Sequence, residues 1–192
     1  MSELPLIAVT DSATCPRPLA EQIERLAKLT KLRPQAVILR AKSLDKAAYR
    51  KLALQAQQSC EAAGIPLILH SDWQLAHELG ISKLHLPLAL LRQLPTYERA
   101  HFTWLSTSVH SVDEAIEAQA LGATVLIAGH IYTTQCKAGL APRGLGFLQN
   151  VCSAVSLPVY AIGGIGFDAA QHAELKANGA RGACVMSAYM RL

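Results

Sequence analysis

Eight short apolar runs, most of them closed by a polar residue or a glycine, recur along this 192-residue chain and limit its fold more than any other feature. They are LPLIAVT (4–10), AVILR (36–40), PLILH (66–70), KLHLP (83–87), FTWLSTS (102–108), TVLIAG (124–129), PVYAIGG (158–164) and GACVMS (182–187). Several are apolar on successive residues rather than alternate ones, the pattern of parallel strands covered on both faces. Between them lie stretches of helical character. Residues 43–63 are rich in Ala, Leu, Gln and Lys. Ser111 opens a segment with Glu114 three residues on and Gly122 at its end, which predicts a capping box and a helix stop. Asp168 to Asn178 ends in Asn-Gly, another stop.

The spacing of roughly 15 to 35 residues between runs is what a strand-plus-helix unit needs. Eight such units in a row predict a closed (β/α)8 TIM barrel rather than an open doubly wound sheet. At 192 residues the barrel is compact, below the roughly 250 typical of the fold. Only AYMRL follows the last strand, so the eighth helix is expected to be a stub. One domain, 1–192, accounts for the whole pattern.

Composition excludes several function classes. The chain is 51% hydrophobic and 17% charged, enough to bury a core and too apolar for a disordered chain. No apolar run reaches the 18 or so residues of a membrane span. The N-terminus has no basic segment leading into an apolar one, so no signal peptide and a cytoplasmic location are expected. The five cysteines, Cys15, Cys60, Cys136, Cys152 and Cys184, form no CxxC pair and fit reduced thiols. The net charge of +4 is spread along the chain and aromatics are sparse, which argues against nucleic acid and for a small anionic ligand.

In such a barrel chemistry sits at the C-terminal ends of the strands. The residues ending the runs are Thr10 and Asp11, Arg40 and Lys42, His70 and Ser71, His85, Ser106 and Ser108, His130, Gly163 and Gly164, and Met186 and Ser187. The last two pairs follow strands seven and eight, where barrels commonly cradle phosphate. Paired glycines let backbone approach a ligand, and helix N-termini favour anions. Gly163, Gly164, Met186 and Ser187 are therefore the expected phosphate cup. Three rim histidines, His70, His85 and His130, are enough for a zinc site, but no carboxylate is placed beside them, and no metal is expected. His85, within a strand, is expected to be packed or hydrogen-bonded, and Trp104 to be structural.

The tail AGHIYTTQCKAGLAPRGLGFL…VSLPVYAIGGI…NGARGACVMSAYM resembles the thiamine phosphate synthase and thiazole tautomerase (TenI) superfamily. LIAVTD, VILRAK, GIPLIL and STSVHSVDEAIEAQALGA extend the likeness over most of the chain, with the final third its specific part. Synthases of that superfamily join a pyrimidine diphosphate to a thiazole phosphate with magnesium. Their typical motifs are Asn-Asp-Arg after the third strand, His-Leu-Gly-Gln with acids after the fourth, and Gly-Pro after the sixth. Here the third reads His70-Ser71-Asp72, the fourth His85-Leu86-Pro87-Leu88-Ala89-Leu90, and the sixth Gly129-His130. Magnesium prefers carboxylates, which leucine and alanine cannot replace; Asp72 is a shifted substitute at best.

The tautomerase branch is matched through Gly129-His130, Cys136-Lys137 and Arg143-Gly144. That resemblance implies aromatisation of a carboxythiazole phosphate by proton transfer, with no cofactor. Histidine suits such a step because its ordinary pKa lies near neutrality. His130 is the expected acid/base. Arg40, Lys42 and Lys137 are expected to hold the substrate carboxylate, and Ser108 and Thr134 to add polar contacts. The implied partner is a small phosphorylated thiazole, with neither nucleic acid nor membrane, and with room for a homo-oligomer. Two alternatives stand beside this reading: thiamine phosphate synthesis with magnesium, and a non-catalytic relative that binds thiazole phosphate.

Overall fold

The computed structural model describes residues 4–135 and 139–192. Eight parallel strands close on themselves in sequence order: β1 (Leu6–Val9), β2 (Ala36–Leu39), β3 (Leu67–His70), β4 (Lys83–Pro87), β5 (Trp104–Val109), β6 (Val125–Gly129), β7 (Val159–Ile162) and β8 (Gly182–Val185). Ile7 pairs with both Ala36 and Cys184, so β1 joins the last strand to the second and no edge remains. Each apolar run of the sequence holds one strand. Most strands are shorter than their runs, whereas β4 fills its run and β5 reaches Val109, one residue past its own.

Every residue of β1, β2 and β8 is buried, as strands with helices outside and packed side chains inside must be. Alternation divides the residues of each strand between two cores. Ile7, Ile38, Ile68, Ile127, Tyr160 and Cys184 belong to the cluster that fills the barrel. Their neighbours Ala8, Leu39, Leu69, Leu126 and Ala161 belong to the larger cluster beneath the helices. Trp104 lies in the barrel filling, its ring edge-on to Tyr160 at 5.6 Å, a structural placement as expected.

The helices follow from local signals. α1 (Leu19–Ala27) buries Leu19, Gln22, Ile23 and Leu26, one face of its turns. α2 (Lys46–Ala63) buries Tyr49, Ala53, Ala56 and Cys60; Asp45 caps it by accepting the Ala48 N–H at 2.8 Å, and Gly64 ends it in the left-handed region. α3 (Trp73–Glu78) is capped by Asp72. Two short helices, α4 (Leu88–Gln93) and α5 (Thr96–Arg99), occupy the β4–β5 crossover.

α6 (Val112–Ala120) starts at Ser111, whose hydroxyl accepts the Glu114 N–H at 3.0 Å. The expected capping box is only half formed there, because the Glu114 carboxylate reaches back to the N–H of His110 instead of Ser111. α7 (Gly144–Ala154) and α8 (Ala169–Ala177) complete the next two units. The last helix, α9 (Ser187–Met190), is the stub the sequence predicts. It is docked rather than loose: buried Gln22 donates to the Tyr189 carbonyl at 2.5 Å and the Tyr189 hydroxyl to the Leu32 carbonyl at 2.8 Å. No described helix is long and apolar enough to cross a membrane.

Gly182 starts β8 where the barrel filling is tightest. A methyl group there meets the Tyr160 ring and comes within 2.6 Å of the Pro5 carbonyl oxygen. Gly182→Ala is expected to destabilise the barrel by about 1 to 3 kcal/mol, read as a lowered denaturation midpoint with an unchanged m-value.

Candidate active site at the C-terminal rim

Above the apolar filling the barrel turns polar. β3, β4 and β5 are in register so that His70 pairs with His85, and His85 with Ser106. Period-two alternation then sends His70, His85, Ser106 and Ser108 to the interior side of the rim. His85 is 5% exposed, with Nδ1 3.0 Å from the Ser106 hydroxyl and Nε2 3.1 Å from that of Ser108. Each serine can donate or accept, so a neutral imidazole in either tautomer is satisfied at both nitrogens. His70 lies beside it, ring centroids 5.2 Å apart, with its Nδ1 2.6 Å from the Ser71 hydroxyl. Ser108, an expected substrate contact, is thus first a partner of His85, and His85 is hydrogen-bonded as expected.

Burial pushes His85 down to about 3, helped by its neighbour His70. His70 is pushed down to about 4, by burial first and then by the charges of Arg40 and Lys42. Both rings are neutral at physiological pH. A zinc site built on them would need the nitrogens of His85 that the serines already occupy.

Arg40 ends β2 and is fixed from two sides. Its guanidinium pairs with Asp11 at 2.7 Å, while its backbone N–H and C=O both bond the Thr10 hydroxyl. Lys42 is exposed and lines a cleft of about 480 Å³ with Tyr49, His70, Ser71, Asp72 and Pro87. Burial raises the Tyr49 hydroxyl to about 12, so it stays protonated; it donates to the Leu39 carbonyl at 2.8 Å and accepts the His70 N–H at 3.1 Å.

His130 follows β6 and is 4% exposed. The Gly129–His130 peptide is cis. Beyond the strand the loop keeps pairing with the β7 end: Ile131 N–H donates to the Ile162 carbonyl and Tyr132 N–H to the Gly163 carbonyl, both at 2.9 Å. This contact leaves no room for side chains at the paired glycines. A Cβ on Gly163 would lie 2.6 Å from the His130 Cβ, and one on Gly164 would lie 2.8 Å from the Tyr132 Cβ, at positive φ in both cases.

Arg143, of the Arg143-Gly144 match, and His110 complete the support. Arg143 N–H donates to the His130 carbonyl at 2.9 Å, and its Nε to the His110 carbonyl at 2.8 Å. His110 Nδ1–H donates to the Gly129 carbonyl at 2.9 Å. The histidine in the STSVHS segment was the available signal. Thr134 is half-buried in the same loop. Lys137 and Cys136 lie outside the described residues.

Ile162 pairs with Cys184, and Met186 and Ser187 follow β8 at the start of α9. The start of α8 is less open to an anion than its sequence implies: the Asp168 carboxylate accepts the Gln171 N–H at 2.9 Å and places a negative charge there.

The residues present do not fit a magnesium site. Asp11 accepts from Arg40 and Thr14, and Asp45, Asp72 and Asp168 cap helices. Asp72, the shifted substitute, accepts the Leu75 N–H at 2.9 Å as the cap of α3. Ser71 and the apolar Leu88–Leu90 segment occupy the acidic positions of the synthase pattern.

Histidines, hydroxyls and cations are thus gathered at one rim of a closed (β/α)8 barrel. Residues 6–189 match the family model described as thiamine monophosphate synthase, and the chain belongs to that family of thiamine biosynthesis. It is 38% identical over 157 residues to a thiamine-phosphate synthase of Listeria monocytogenes, covering 79% of this chain and 72% of the relative. It is 32% identical over 134 residues to that of Clostridium acetobutylicum, covering 67% of this chain and 62% of the relative. Among solved structures, the thiamine phosphate pyrophosphorylase of Pyrococcus furiosus superposes with a TM-score of 0.80 at 25% identity, over 98% of this chain and 88% of the other. FabK of Thermotoga maritima reaches 0.73 at 18% identity over 97% of this chain and 59% of its own, a likeness of the barrel alone.

The rim histidines carry a pH signature. Each folded-state pKa lies below the ordinary value of 6.5, so the unfolded chain binds protons first and stability falls as pH drops from about 6.5 toward 4 and 3. The slope approaches about 1.4 kcal/mol per pH unit for each ring. Denaturation midpoints measured across this window are expected to fall steeply in the native protein and less steeply in His70→Asn.

Proposed function

We propose that this protein isomerises a phosphorylated carboxythiazole, turning a ring with an exocyclic double bond into the aromatic thiazole. One proton leaves ring carbon and one is delivered to the exocyclic carbon, so atoms and electrons balance without a second reactant. The observation that carries this reading is His130, fixed at the end of β6 against the Gly163 backbone. His70 and His85 are held neutral and joined to serine hydroxyls, so they are poor proton carriers near neutral pH. In this reading His130 moves the proton, and Arg40, Lys42 and Lys137 hold the carboxylate. Ser108 and Thr134 contribute polar contacts. The backbone of Gly163 and Gly164, with Met186 and Ser187, cradles the phosphate.

The names of the relatives favour a second reading, the thiamine-phosphate synthase reaction. It asks for magnesium chemistry at carboxylates that are replaced or already engaged here.

The test is turnover of the exocyclic carboxythiazole phosphate, followed by its ultraviolet change on aromatisation. Wild type is expected to convert it without added metal. His130→Ala is expected to lose about 10²- to 10⁴-fold in kcat with KM little changed. Magnesium-dependent thiamine phosphate formation from the two precursors, without isomerisation, would establish the synthase reading instead. Thiazole phosphate binding with neither turnover would make the protein a binding relative.

A further inference from the structure

The opposite end of the barrel holds a second cluster of chemistry-bearing side chains. β4 and β5 begin at Lys83 and Trp104, so the segments just before them lie on the N-terminal face, away from His130. There His77, in the last turn of α3, meets Glu98 of α5 and His101 just beyond it. The Nδ1 atoms of His77 and His101 both face one carboxylate oxygen, Glu98 Oε2, at 3.5 Å and 3.2 Å. The two rings stand nearly perpendicular, centroids 5.2 Å apart. The three ligand atoms all lie within 4.8 Å of one another.

We propose that His77, Glu98 and His101 form a binding site for a divalent transition metal of the zinc class. Three features support this. In a tetrahedral site with metal–ligand bonds of about 2.0 Å, neighbouring ligand atoms are about 3.3 Å apart, and the two contacts to Glu98 straddle that length. The donor set of two imidazoles and a carboxylate selects zinc, cobalt, nickel or copper over magnesium and calcium. The exposure is also graded as a metal site requires. The Glu98 side chain is 11% exposed and those of His77 and His101 are 55% and 56%, so the anion is set inward while the imidazoles leave an open side for the ion and a water.

The buried carboxylate gives the ion a physical reason to bind. A desolvated anion needs a cation or hydrogen-bond donors, and the partners facing Glu98 are these two imidazoles. The two imidazoles supply at most two N–H groups to one oxygen. A divalent ion replaces them with full charge compensation. Because His77 belongs to α3 and the other two ligands to the β4–β5 crossover, the bound ion would clamp two consecutive units of the barrel. The site is independent of the reaction at the rim.

Cobalt(II) titration of the metal-free protein tests the proposal by visible d–d absorption, with zinc-dependent thermal shift as a second readout. Wild type is expected to take up one equivalent with a tetrahedral or five-coordinate spectrum. His77→Gln and His101→Gln keep an amide donor for Glu98 but no imidazole. Each is expected to lose at least tenfold in affinity and the zinc-induced rise in Tm, while keeping the metal-free Tm. His70→Ala is expected to leave the cobalt spectrum unchanged. Spectra retained in both glutamine variants, a spectrum lost in His70→Ala, or no saturable binding by wild type at micromolar metal would each overturn the assignment.

Discussion

A parallel strand cannot turn back on itself, and a sheet of eight short ones exposes two unpaired edges unless the last bonds to the first. The β1–β8 pairing is therefore the contact on which the other elements depend. It obliges a crossover after every strand, sends every crossover to the outside, and brings all eight strand ends to one rim. It also explains the tight fit at Gly182, where the final strand enters between Tyr160 and the residues leading into β1. The short last helix is tolerable for the same reason. α9 need not cover a sheet edge, and Gln22 and Leu32 hold it by its backbone and its tyrosine.

Much of this was legible in the residues. The apolar runs marked all eight strands because a strand buried on both faces must be apolar on successive positions. Ser111, Asp168 and Gly122 marked helix ends because capping is local chemistry. What stayed hidden depended on contacts between distant segments. Glu114 reaches His110 rather than completing its box at Ser111, a choice set by the neighbouring loop. The Gly163–Gly164 pair marks a close backbone approach, but not that the β6 loop is what fills the space their missing side chains leave. Asp72 resembled a spare carboxylate and proves to be a helix cap. His77 and Glu98 are separated in sequence by a strand and a helix, so no spacing rule could join them.

The rim shows how one apolar enclosure assigns different roles to one residue type. His85 is surrounded by serines and driven neutral by burial, which suits a fixed hydrogen-bond bridge between strands. His70 receives the same treatment with added repulsion from Arg40 and Lys42. His130 sits instead where the strand ladder continues into a loop, its carbonyl held by Arg143 and its Cβ against a glycine. The same loop is tied to α8 by Tyr132, whose hydroxyl donates to the Glu174 carboxylate at 3.1 Å.

Family membership and site chemistry bear on different questions. The family model matches residues 6–189, nearly the whole barrel, and a shared fold does not by itself fix the reaction. The reaction depends on a few atoms at the strand ends, and there Ser71, the Leu88–Leu90 segment and His130 differ from the synthase pattern. An enzyme that couples a diphosphate must neutralise the charge of the departing group, which needs a cation held at that point. A proton shift within one ring releases no such charge. It needs only a base that can return what it took.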